Sequence, residues 1–308
     1  MRAAKTKRIL VTVKPWEGRL PLTVSNLSRL AESLGAEISL LSCLSRSQVV
    51  FAGVEPPEHT ASFDAETERS EQATHLEKLA EPLRAAGAWV TTHVTTESPV
   101  YRAILDEAAS SQADLLVVGV HEAGLLGPTQ FTDLDRQLMR LCPCPLLLVR
   151  NPEITSYRTI LAAVDPLHRH AGPAGLDMAV ARTAGDLSKA LQAELCVANV
   201  HPDPQSFELA SGVEVEPGVY YGAENIPEVH HEAVDALLSE CGVTAARTVL
   251  RSGDPATQII DLLGEFDVDL VVLGAFKRSA IRDWLLGSTA EKVAAGARSD
   301  VLLVKPAG

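Results

Sequence analysis

Near its start the chain carries a short β-branched apolar run, Ile9 to Val13, followed by apolar positions at Val24, Leu27, Leu30 and Leu34. The first pattern predicts a buried strand over 8–13, and the second, at helical spacing, a helix over 20–34. Gly35 is a helix stop, and 36–42 predicts a second strand. A loop holding Pro56 and Pro57 leads into a charged helix over about 64–86. Further patterns predict a strand over 89–94, a helix opened by Pro99 and running to 109, a strand over 114–119, a helix over 134–141 and a strand over 146–149.

The whole order then recurs. Asp114-Leu-Leu-Val-Val-Gly119 returns as Asp269-Leu-Val-Val-Leu-Gly274, and the same spacing carries 146–149 onto 301–304 without a gap. Residues 8–15 match 159–166, Ala36-Glu37 falls on Ala193-Glu194, and Ser98-Pro99 falls on Asp254-Pro255. Self-similarity of this kind marks a repeated unit. A length of 308 residues suits two domains, here 1–150 and 151–308, joined near Asn151-Pro152-Glu153. With right-handed crossovers each copy becomes an α/β, doubly wound, parallel five-stranded sheet, with its ligand expected at the carboxyl ends of the strands.

The second copy carries the most informative stretch. Residues 270–273 predict a buried parallel strand ending at Gly274; further on, Gly287, Ser288 and Thr289 precede a helical pattern. A helix N-terminus with small residues can seat an anion, because its first N–H groups point outward and no Cβ holds the anion away. Gly274, Lys277, Gly287 and Ser288 stand at the spacing G-x2-G-x9-G-[S/T]. That spacing resembles the ATP-phosphate loop of the universal stress proteins, except that Lys277 replaces the second glycine. The resemblance covers essentially the whole chain. Thr132-Asp133 through Cys142-Pro-Cys144-Pro145, and Leu285 to Val293 with Lys305-Pro306, are similar to the ends of the two copies in tandem members.

The resemblance implies that Asp165 accepts from an adenine amino group while neighbouring backbone, at Val164, Val200, Leu273 and Gly274, reads the ring. It implies that Gly287, Ser288 and Thr289 hold phosphate. Lys277 either blocks close backbone approach or touches phosphate as a point charge. Simpler readings stand beside these: Asp165 capping the turn before Pro166, the Ser-Thr pair capping a helix, Arg278 and Arg282 as solvated charges. In the first copy Lys14 replaces Asp165, Glu122 stands at the second glycine, and Thr132-Asp133 replace Gly287-Ser288. Carboxylates there repel a triphosphate. The expectation is ATP at no more than one site, in the second copy, with no metal beyond Mg²⁺ carried by the nucleotide.

Catalytic signatures are absent: the chain has no Gly-x-Ser-x-Gly elbow, His-Glu-x-x-His or complete Gly-x4-Gly-Lys-[Ser/Thr] loop. Cys142 and Cys144, separated by one proline, are read as structural, and the pairs His168/His170 and His230/His231 as loop and helix positions. Residues 202–227 mix Phe207, Tyr220 and Tyr221 with glycines. This segment is expected either to fold over the strand ends and line an apolar cavity near Asp165 and Gly274, or to pack against the other copy.

Composition narrows the classes. A formal charge of −13 argues against nonspecific nucleic-acid binding and anionic membrane surfaces. No apolar run reaches the roughly 18–20 residues of a membrane span, and no signal-peptide core follows the N-terminus. Five cysteines, mostly in apolar runs, suit buried thiols in a reducing, cytoplasmic setting. The resemblance implies a stress-response, non-enzymatic protein that binds a small molecule, either a nucleotide or an apolar-tailed ligand. The alternatives are a slow ATPase or adenylate-using enzyme, and a hydrophobic-ligand carrier. The resemblance also implies an intramolecular pseudo-dimer, with 146–149 pairing 301–304, and leaves a homodimer open.

Overall fold

The computed structural model describes residues 7–15, 18–44, 65–120, 131–150, 154–167, 175–201, 226–277 and 284–305. They divide into two compact units, the first closing at Thr155 and the second opening at Ser156. The expected linker, 151–153, lies outside the described residues, as do Glu122, His168, His170, Arg278, Arg282 and most of 202–227.

In the first unit, strands β1 (Lys7–Thr12), β2 (Ala36–Cys43), β3 (Val90–Thr95), β4 (Leu115–Gly119) and β5 (Leu146–Val149) form a parallel sheet in the order β3-β2-β1-β4-β5. Helices α1 (Val24–Leu34), α2 (Ala65–Ala85), α3 (Val100–Ser110) and α4 (Asp133–Leu141) connect them. Ile9, Leu10, Leu40, Leu116 and Val117 are fully buried, which is why these strands read as unbroken apolar runs. Helix α1 begins later than the apolar spacing predicts. Thr23 is its N-cap and accepts from the Asn26 amide, so Leu20 and Leu22 are buried in the approach segment, not on a helix face. Gly35 closes the helix in the left-handed region, at φ 59°.

The second unit repeats the plan. Strands β6 (Thr159–Ala163), β7 (Glu194–His201), β8 (Arg247–Ser252), β9 (Leu270–Lys277) and β11 (Asp300–Val304) pair in parallel, in the order β8-β7-β6-β9-β11. Helices α5 (Leu176–Leu191), α6 (Ile226–Cys241), α7 (Pro255–Glu265) and α8 (Ser288–Gly296) connect them. One strand is new relative to the sequence reading. Strand β9 runs on past Gly274 to Lys277, and β10 (Trp284–Leu286) returns antiparallel along it.

Even the pins at the amino ends of the strands recur. Asp114 accepts from the Arg8 amide at 2.9 Å, and Asp269 accepts from the Arg158 and Thr159 amides at 2.7 and 3.0 Å. In each unit the direction of winding reverses between the first and fourth strands, β1/β4 and β6/β9. The crevice beyond the carboxyl ends at that reversal is where ligands of such sheets sit. Asp165 follows β6, and Gly274 lies in β9, so the fold brings both to that crevice in the second unit.

Candidate functional site

Strand β10 returns along β9 toward Gly274. Trp284 pairs with Lys277, Leu285 with Phe276 and Leu286 with Ala275, the ladder ending one residue short of Gly287 on one strand and of Gly274 on the other. Helix α8 starts immediately after. Lys277 is not brought to that point: three residues along a strand place its backbone about 10 Å from Gly274. Its backbone belongs to a β-ladder rather than to a phosphate loop.

Gly287 is the N-cap of α8, at φ −58° and ψ 152°, and as a glycine it supplies no side-chain cap. Its carbonyl accepts from the Glu291 amide at 2.9 Å, so the amides of Ser288, Thr289 and Ala290 precede the first intrahelical bond. Ser288 is exposed and Thr289 half-buried. The dipole and these N–H groups favour an anion; the exposed Glu291 carboxylate in the first turn opposes one weakly. The corresponding helix of the first unit is closed. Thr132 accepts from the Asp135 amide, while Asp135 accepts from the Thr132 amide and hydroxyl at 2.8 and 2.7 Å. In this capping box the Thr132 hydroxyl occupies a first-turn amide, held there by the Asp135 carboxylate, whereas the glycine that starts α8 offers no such group.

Gly274 has a structural reason to be glycine. A Cβ there would stand 2.8 Å from Leu176 Cγ and Cδ2, so helix α5 packs into the missing side chain. A Cβ at Gly119, its counterpart, would stand 3.3 Å from Pro21 Cβ. Leu273, one position earlier, is a core residue paired with Leu303.

Asp165 is half-buried, and its amide donates to Asp177 Oδ1, in the first turn of α5, at 2.8 Å. Val164 and Val200 are buried. Both backbone groups of Val164 are engaged: its amide donates to Ala198 O at 3.0 Å, and its carbonyl accepts from Asn199 Nδ2 at 2.9 Å. Asn199 leads to His201, which the sequence reading passed over, and to His230, which it read only as a helix position. Its Oδ1 lies 2.7 Å from His230 Nδ1, and the His201 ring sits 5.2 Å from that of His230, centroid to centroid, tilted by 42°. The signal available in sequence was Asn199 and His201 alternating within an otherwise apolar strand. Burial, then the charge of His201, hold His230 below the ordinary histidine value, with Asp165 pulling the other way.

Other candidates settle into the core. Burial, with Glu107 and Glu97 nearby, pushes the Cys43 thiol up to about 12, which leaves it protonated. Cys142 and Cys144 are buried with sulfurs 3.6 Å apart. Among the described residues no group of three His, Cys, Asp or Glu side chains is placed to hold a metal, and no helix is long and apolar enough to cross a membrane.

The fold and sequence have relatives. A universal stress protein E homolog of Haemophilus influenzae is 26% identical over 318 residues, covering 98% of this chain and 98% of that protein. Universal stress protein E of Photorhabdus laumondii is 25% identical over 241 residues, covering 78% of this chain and 76% of its own. Among solved structures, a universal stress protein from Archaeoglobus fulgidus shares the fold at a TM-score of 0.66 and 15% identity, covering 98% of this chain and 99% of its own. The model of the universal stress protein family matches residues 5–150 and again 156–305. The chain therefore belongs to the universal stress protein family, as a tandem member with two copies of its domain.

Proposed function

We propose that this protein binds one small phosphate-bearing ligand, ATP being the first to test, in its second copy, and acts through occupancy rather than turnover. The observation that carries the reading is the contrast between equivalent helix starts: α4 is sealed by the Thr132–Asp135 capping box, while α8 begins at a glycine with no side-chain cap. Asp165, Val164 and Val200 stand at the carboxyl ends of β6 and β7, where a base would lie. Any Mg²⁺ arrives with the triphosphate. The groups offered at the α8 start are amides and hydroxyls, donors that hold an anion without taking a proton from attacking water. A stress-response role follows from family membership. Pairing of the two copies within the chain belongs to the same proposal, supported by the tandem arrangement; light scattering should then give the mass of one chain, 32.9 kDa.

Gly287→Asp tests the reading. The backbone angles at Gly287 suit any residue, so the change brings no backbone strain, and the new carboxylate caps the first-turn N–H groups as the Thr132 hydroxyl does in the first copy. The expected result is an unchanged or slightly raised urea midpoint together with loss of ATP binding. Retained affinity would rule the α8 start out as the phosphate seat. Release of phosphate from ATP at a rate that Gly287→Asp abolishes would favour the ATPase alternative.

A further inference from the structure

Asn199 is 1% exposed in the middle of an apolar strand, and both ends of its amide are used. The Val164 carbonyl can only accept, so the group facing it is Nδ2 and the other end is an acceptor. The atom 2.7 Å from that acceptor, His230 Nδ1, must therefore carry the hydrogen. In a neutral imidazole this leaves Nε2 with a lone pair, an acceptor. The first copy fills the same place with groups that do not titrate: Gln72 Nε2 on α2 donates to Ser42 Oγ on β2 at 3.1 Å, both residues buried. Both copies thus tie the second strand to the following helix, and only the second does so with a titratable ring.

We propose that His230 is a ligand-reading residue of the second copy, whose Nε2 accepts a hydrogen bond from an amino group on a bound heterocycle and loses that ability on protonation. The inference rests on the reading of this end of the sheet as the ligand site. The titratable groups acting on the ring from other elements are His201 from β7 and Asp165 after β6, whose amide in turn donates to Asp177 of α5. On α6 itself stand Glu228, Glu232 and the exposed pair His231–Asp235, whose Nδ1 and Oδ2 lie 3.0 Å apart. His230 is neutral at pH 7, because burial and His201 outweigh Asp165. As pH falls through its lowered folded-state value the ring takes up its proton, Nε2 turns from acceptor to donor, and the cation is drawn to Asp165. The carboxylate assigned to the amino group is then shared with the imidazolium, and occupancy falls.

The test is calorimetric titration of the full chain with ATP at pH 7.5 and 5.5, for wild type and His230→Phe, with ¹⁵N shifts of the His230 ring recorded in the free protein. ATP titrates its own phosphate in this range, and the variant keeps that contribution, so the difference isolates the imidazole. The expected result is an Nδ1–H tautomer, weaker binding by the variant at pH 7.5, and a loss of affinity on acidification that is greater in wild type than in the variant, by up to about tenfold. Binding with the same pH dependence in both proteins, or an Nε2–H tautomer, overturns the role of His230 alone. No binding of ATP at either pH overturns the ligand reading itself and this inference with it.

Discussion

At the scale of single residues, the two glycines of the candidate loop do different work. Gly287 leaves a helix start open, whereas Gly274 makes room for Leu176. Gly274→Ala should therefore destabilise the protein by about 1–3 kcal/mol through overpacking. In a Leu176→Ala background most of that cost should vanish, as a double-mutant cycle in urea would show; an equal cost in both backgrounds would reject the contact. His230 gives a second prediction. Its folded-state pKa lies below the unfolded value of 6.5, so the folded chain resists a proton that the unfolded chain accepts. The stability this contributes is complete above pH 6.5 and declines as pH falls through the folded value. The urea midpoint should drop more steeply from pH 7.5 to 5 in wild type than in His230→Phe. Gly287 was legible in sequence as a helix start, since a glycine followed by two hydroxyls and a helical pattern is a local signal; Gly274 was read there as a loop glycine, and its packing against Leu176 was not visible. The His230–Asn199 contact joins two elements across the fold, and no spacing rule reports it.

At the scale of elements, strands and most helices follow from apolar periodicity alone. The two departures have local causes. Helix α1 starts at its Thr23 cap because Pro21 and the buried Leu20 and Leu22 belong to an approach segment that bends ahead of the helix. Strand β10 is three residues long, so Trp-Leu-Leu reads equally well as loop packing until its partner is known. The β11 strand carries a further test. Asp300 is fully buried at its start, and the Tyr157 hydroxyl donates to it at 2.7 Å. Burial and the neighbouring carboxylates raise the phenol well above its ordinary value, so it stays a donor. Tyr157→Phe removes a hydrogen bond from a buried carboxylate and should cost about 1–3 kcal/mol, measured as a lower urea midpoint. An unchanged midpoint would mean that the other interactions of Asp300 hold it unaided.

At the scale of the whole chain, the repeat made the architecture readable before any coordinates: a strand order found once had to be found twice. The repeat does not say which copy keeps a site, because divergence acts on a few side chains without disturbing the sheet. The first copy holds Lys14 where the second holds Asp165, and a capping box where the second holds a glycine N-cap. The account thus places one functional site in a chain with two equivalent folds. Its most direct test is the stoichiometry of ATP binding to the intact protein by titration calorimetry. The account predicts one site per chain, lost in Gly287→Asp and kept in Lys14→Ala. Two equivalent sites, or none, would contradict it.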